Sequence, residues 1–157
     1  MRAAVLVRNG VADGAFEVRE LPDPQPREGE VRVAVKAFGL NFADVMARIG
    51  VYQDAPPLPS VLGYEAVGTI DAVGAGVSAS RIGERVVAFT RFGAYATLVV
   101  TPAEAVAQLP DTIGDAEALG LPTQMGTAWY CAEDRVRLRA GDTVLVHAAA
   151  GGVGFGP

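Results

Sequence analysis

Thr143-Val144-Leu145-Val146-His147-Ala148-Ala149-Ala150-Gly151-Gly152-Val153-Gly154 is the stretch on which the reading of this chain turns. Val144, Leu145 and Val146 have the texture of a buried strand, and a Gly-Gly-x-Gly turn follows within a few residues. A strand feeding such a turn is how a doubly wound α/β sheet begins. The glycines permit a tight bend and let the pyrophosphate of a dinucleotide approach the backbone at a helix N-terminus. Parallel neighbours for that strand are reached only through long crossovers, yet the sequence ends at Pro157. The expectation is the first half of a longer enzyme, cut where its cofactor domain starts.

Upstream, the texture is different. The chain's 19 glycines and 10 prolines break its first hundred residues into short apolar segments, the mark of a β-rich domain with many turns. Arg2 to Arg8 and Phe16 to Glu20 read as strands, and Pro22, Pro24 and Pro26 then force an extended connection. Glu30 to Lys36 alternates Val31, Val33 and Val35 with Arg32, Ala34 and Lys36, a half-buried strand. From Asn41 to Ile49 the period becomes helical, through Phe42, Val45, Met46 and Ile49, with Asn41 placed to cap and Asp44 in the first turn. Gln53 to Ser60 is a proline loop. Tyr64 to Val73, Arg85 to Phe89 and Tyr95 to Val100 are further strands, the first two separated by Gly74-Ala75-Gly76. Helical texture begins near Asp115 and resumes from Met125 to Glu133, and Gly141-Asp142 turns the chain into the final strand, Thr143 to His147. Residues 1–115 thus form one mostly β domain, and 116–157 the incomplete start of a second.

With 157 residues, half of them hydrophobic, the chain has ample material for a core. A formal net charge of -5 with scattered lysines and arginines excludes the electrostatic footprint of a nucleic-acid binder. Arg135, Arg137 and Arg139 read as solvated surface. A lone cysteine, Cys131, makes neither an internal disulfide nor a multi-thiolate metal site. The sequence shows no signal-peptide pattern and no apolar run of about 18 residues, so a cytoplasmic protein without a membrane span is expected.

Three stretches together resemble the zinc-free quinone oxidoreductase branch of the medium-chain dehydrogenase/reductase superfamily. They are Gly39-Leu40-Asn41-Phe42-Ala43-Asp44; Gly63-Tyr64-Glu65-Ala66-Val67-Gly68 running on to Gly83-Glu84-Arg85-Val86; and Gly141-Asp142 continuing to Ala149-Ala150-Gly151-Gly152-Val153-Gly154. Asn41 to Tyr52 and the Pro56-Pro57-Leu58-Pro59 loop look nearest to its vesicle-amine-transport-protein-like members. Polyketide enoyl reductase domains share much of the same text. The resemblance implies a GroES-like β domain followed by a truncated NADPH-binding Rossmann domain. Gly156-Pro157 departs from the signature: proline is tolerable in a first helical turn, but glycine beside it weakens the helix.

The resemblance also assigns residues. Zinc-dependent relatives would place ligands at Asn41, Tyr64 and Gln124, none of which offers thiolate, imidazole or carboxylate, so no metal is expected. Without one, a hydride acceptor's carbonyl oxygen must be activated by hydrogen bonds. Asn41 either lies near the nicotinamide, only caps its helix, or does both. Tyr52 either presents its phenol to the substrate or packs on the proline loop. Thr127 matches a position that contacts the nicotinamide amide, or else bonds its own helix backbone. Ala150, Gly151, Gly152, Val153 and Gly154 form the pyrophosphate turn. Asp44 reads chiefly as a first-turn helix acid, Glu65 and Arg85 as fold-supporting, and Met46 and Cys131 as packing. His147 is either a hydrogen-bonded structural group near the cofactor edge or a more active participant there.

Three functions remain open on these residues. The first is a zinc-free NADPH-dependent reductase of quinones or activated enones, a dimer in its full-length form. The second is a polyketide enoyl reductase acting on a carrier-tethered thioester, and the third a non-catalytic GroES-like binding module.

Overall fold

The computed structural model describes residues 1–154, and the reading of Gly156-Pro157 lies outside the described residues. Among the described residues, eight strands form two antiparallel sheets. In the smaller, β1 (Arg2–Leu6) lies between β2 (Phe16–Glu20) and β4 (Ser60–Val61). The larger has the order β7-β3-β5-β6-β8, from β3 (Glu30–Phe38), β5 (Glu65–Val73), β6 (Arg85–Phe89), β7 (Leu98–Pro102) and β8 (Val106–Gln108). The alternation read from Val31 to Val35 is real: Val31 and Val33 are fully buried, while Arg32 turns out to bond Asp71. Period-two patterning survives here because β3 packs one face, Val31, Val33 and Val35, on the core.

Strand β5 is the centre of the molecule. Ala66 and Ile70 pack on one side with Val31, Val33, Val86 and Val99, and Val67 packs on the other with Val87, Leu109 and Ala118. Burial on both faces explains why β5 lacks clean alternation. Gly68 is required by its neighbour: a Cβ there would overlap the Ala34 backbone carbonyl across the β3–β5 ladder.

Ala118 belongs to helix α2 (Asp115–Leu119), which anchors the helical run to the sheet. Asp115 bonds both Lys36 and Arg85, each at 2.6 Å. Beyond Gly120 the helix widens into a π turn, Leu121–Met125, in which the Met125 amide reaches back five residues to the Gly120 carbonyl. Pro122 supplies no N–H to the ordinary ladder, which accounts for the local loosening. Helix α3 (Gly126–Tyr130) and a second π segment, Cys131–Val136, complete the run, closed by Arg137 at φ 57°.

The expected final strand is absent, and the expected strand Tyr95 to Val100 is shifted to Leu98–Pro102. Thr143 to His147 forms no strand; Val144 and Leu145 stand 51% and 81% exposed. A parallel strand exists only through its neighbours, and none of the described residues supplies one. Helix α1 (Phe42–Ile49) forms as expected, but the side it buries carries Asp44 and Ala47, while Phe42, Val45 and Ile49 are exposed. What decides the orientation of α1 is a carboxylate with backbone amides to bind. Three-residue β8 is too short to leave a sequence signal.

Candidate functional site

Gly63 ends β4's connection and delivers Tyr64 and then Glu65 at the first position of β5. A side chain at Gly63 (φ 98°) would collide with the Tyr95 ring and Ala94, so the chain passes there only as glycine. Asp44, buried on α1, binds both sides of this corner: its Oδ1 accepts from the Gly63 amide at 3.2 Å and its Oδ2 from the Asn41 amide at 2.9 Å. It therefore does more than the first-turn acid expected of it. Its negative charge, after burial itself, also helps push the Tyr95 phenol well above its ordinary value.

Glu65 is 1% exposed. One carboxylate oxygen accepts from Asn41 Nδ2 at 2.7 Å and the other from the Thr123 hydroxyl. Burial raises its pKa, the Asn41 bond opposes that rise, and the Asp44 charge adds to it. Asn41 thus turns its side chain toward Glu65 while its backbone N–H and C=O engage Asp44 at the helix start. The sequence alone points to Glu65 as fold-supporting rather than catalytic. The available signal was an acid opening the apolar strand Glu65-Ala66-Val67-Gly68.

Thr123 belongs to the wall of a cleft of about 500 Å³ that also takes in Tyr52, Tyr64, Phe89, Pro122 and Thr127. Two expected site residues, Tyr52 and Thr127, therefore face one space although 75 positions separate them in sequence. Asn41 is not in that wall; it connects to it through Glu65 and Thr123. Tyr52 is half-buried and packs on the Leu6–Leu62–Tyr95 cluster. Tyr64 stacks obliquely on Phe92, with centroids 5.1 Å apart. Burial, reinforced by the Tyr52 phenol, pushes the Tyr64 hydroxyl far above its usual range, so it stays protonated as a donor.

The glycine turn packs beside the helical run, with Gly152 against the Gln124 side chain. The Gly151 amide donates to the Ala148 carbonyl at 2.7 Å, and Ala148 takes a positive φ of 52°. Added side chains at Gly152 and Gly154 would strike the Gln124 side chain and the Ala148 carbonyl respectively. Ala150, Gly151, Gly152 and Val153 are exposed, and Gly154 is half-buried. His147 and Cys131, both exposed, share an apolar cavity of about 420 Å³ with Val136, Leu138, Val144 and Val146. Cys131 is thus exposed rather than the packing residue expected.

The positions that would ligate zinc hold an amide bonded to a carboxylate (Asn41), a cleft-lining phenol (Tyr64) and an amide close over Gly152 (Gln124). That donor set does not fit zinc, which takes thiolate, imidazole or carboxylate. No helix among the described residues is long and apolar enough to cross a membrane.

Comparison with known proteins matches residues 27–111, from the connection before β3 to the end of the β domain, to the alcohol dehydrogenase GroES-like domain. The chain belongs to that family. Its GroES-like half is the β domain described above, within the medium-chain dehydrogenase/reductase superfamily, and a short helical start of the Rossmann-like portion follows. The chain is 41% identical over 154 residues to human synaptic vesicle membrane protein VAT-1 homolog-like, covering 98% of this chain and 36% of that protein. The crystal structure of that human protein superposes with TM-score 0.92 at 40% identity, covering 98% of this chain and 50% of that one. Quinone oxidoreductase from Thermus thermophilus, solved also as its NADPH complex, superposes with TM-score 0.82 at 37% identity, over 99% and 47% of the two chains. The CurK enoyl reductase superposes with TM-score 0.89 at 30% identity, over 99% and 49%. The chain thus spans about half the length of these solved relatives.

Proposed function

We propose that the longer protein to which this GroES-like chain corresponds is an NADPH-dependent oxidoreductase that reduces a quinone or activated enone without zinc. The observation that carries this reading is the convergence of Tyr52, Tyr64, Thr123 and Thr127 on one cleft, backed by Asn41 through Glu65. The likeness to a quinone oxidoreductase solved with NADPH supports it. We further read residues 1–115 as the catalytic domain and 116–157 as the start of the NADPH-binding domain, in a cytoplasmic, dimeric parent.

The cleft's chemistry suits the nicotinamide end of the cofactor: hydroxyls for a carboxamide and flat apolar surface from Phe89 and Pro122 for a ring. Thr127 would hold the carboxamide, and Ala150, Gly151, Gly152, Val153 and Gly154 would line the pyrophosphate. NADPH, when bound, supplies the hydride. Negative charge then develops on the substrate's carbonyl oxygen, and fixed hydrogen-bond donors lower the barrier there. Tyr52 would donate to that oxygen, with the protonated Tyr64 behind it. Asn41, joined to the cleft wall through Glu65 and Thr123, keeps a second Nδ2 hydrogen that would donate to the nicotinamide carboxamide or the substrate oxygen, and an Oδ1 that would accept from the carboxamide N–H. Phe89 and Pro122 would exclude water.

The likeness to an enoyl reductase favours a second reading, reduction of a carrier-tethered enoyl thioester. Steady NADPH oxidation by the full-length protein, with panels of quinones, free enones and enoyl thioesters, tests both. Turnover of quinones or free enones is expected. Turnover of thioesters alone selects the second reading, and background rates throughout leave a non-catalytic GroES-like binding module.

A further inference from the structure

We propose that Glu65 is a positioning residue: its two carboxylate oxygens yoke Asn41, at the start of α1, to Thr123 on the helical run, fixing the Asn41 amide and the cleft wall together. The inference rests on the roles of Asn41 and the cleft given above. A carboxylate removed from water is costly unless its oxygens are engaged. Here both oxygens are used, and they bond two elements from different parts of the chain. A third element closes on the same group. Gly39 passes so near that a Cβ there would overlap the carboxylate, and its amide donates to the Glu65 backbone carbonyl at 3.2 Å.

Asn41 is thereby held twice, by its backbone amide on Asp44 and its side chain on Glu65. An amide fixed at one N–H presents its other N–H and its oxygen in a defined direction. Thr123, with one hydrogen bond to the same carboxylate, fixes the distance between the β domain and the helix that carries Thr127. Positioning of this kind affects the reacting geometry more than ground-state binding.

The test uses the full-length protein with Glu65→Leu, Glu65→Gln and Thr123→Val. Glu65→Leu is expected to lower kcat by about 10–100-fold while the KM for NADPH moves less than about threefold. Glu65→Gln should restore most of the loss, since its amide can accept from Asn41 and donate to Thr123. Should Glu65→Leu fail to fold, Thr123→Val, which leaves the Asn41 bond intact, must still lower kcat by about 3–10-fold. A readout independent of turnover is the Asn41 side-chain amide in a nitrogen-15 NMR spectrum, assigned with Asn41→Ala. Its two protons should be shifted apart and slow to exchange in the wild type and in Glu65→Gln, and collapse toward free-amide values in Glu65→Leu. Unchanged kcat in Glu65→Leu with only a lower Tm, unchanged kcat in Thr123→Val, or unchanged Asn41 resonances would each overturn the proposal. Absence of NADPH oxidation in the wild type would instead sink the functional reading and leave the amide spectrum to decide the role of Glu65.

Discussion

Glu65 shows how much a single buried charge can organise. Because burial raises its pKa above the ordinary 4.5, the folded protein holds a proton there more tightly than the unfolded chain does. Its contribution to stability is therefore complete below the unfolded value and is lost as pH rises through the folded one. Glu65→Gln cannot titrate, so the stability of the wild type relative to this variant should be greater at pH 4 than at pH 8. Paired denaturant titrations check this, and a flat difference contradicts it. The neighbouring Asp44 illustrates the limit of sequence reading at this scale. Its place in the first turn of α1 was legible, because capping is local. Its bond to Gly63 was not, because that depends on how a distant corner folds back. Tyr52 and Thr127 could be read only one at a time, because the cleft they share belongs to the tertiary fold alone.

Among the elements, those with local causes were read most faithfully. Strands β2 and β6 have the bounds expected from their apolar runs and flanking turns, and α1 ends with Gly50 at φ 85°, the left-handed closure that glycine favours. The orientation of α1 was not legible, since amphipathic spacing would bury Phe42 and Ile49, whereas the amides awaiting Asp44 turn the helix the other way. At the β3–β5 interface, Gly68→Ala places a methyl group against the Ala34 carbonyl. Overpacking against backbone should cost about 1–3 kcal/mol, or about 2–4 °C in Tm for each kcal/mol in a chain of this size. Thermal unfolding checks it; an unchanged Tm would show that β3 and β5 can separate freely at that point.

For the whole molecule, the decisive segment remains the one quoted first. Its apolar composition and glycine turn were legible and the family assignment agrees with them, yet the strand is absent, because a parallel strand is a property of a sheet and not of a segment. Leu145, 81% exposed beside Val144 and Val146, is an apolar surface that invites association. Sedimentation of the 157-residue chain should show concentration-dependent self-association that Leu145→Asp reduces. A monodisperse wild-type chain would contradict this.

The same logic applies to the cofactor: without sheet neighbours the glycine turn folds onto Ala148 and Gln124, so the 157-residue chain should bind NADPH weakly or not at all. The placement of the nicotinamide is tested most directly by calorimetric titration of NADPH into the full-length protein and its Thr127→Val variant. Loss of one hydrogen bond from the cleft should weaken binding by about 3–10-fold with Tm unchanged. Equal affinity in the two proteins would contradict the placement of the nicotinamide beside Tyr52 and Tyr64.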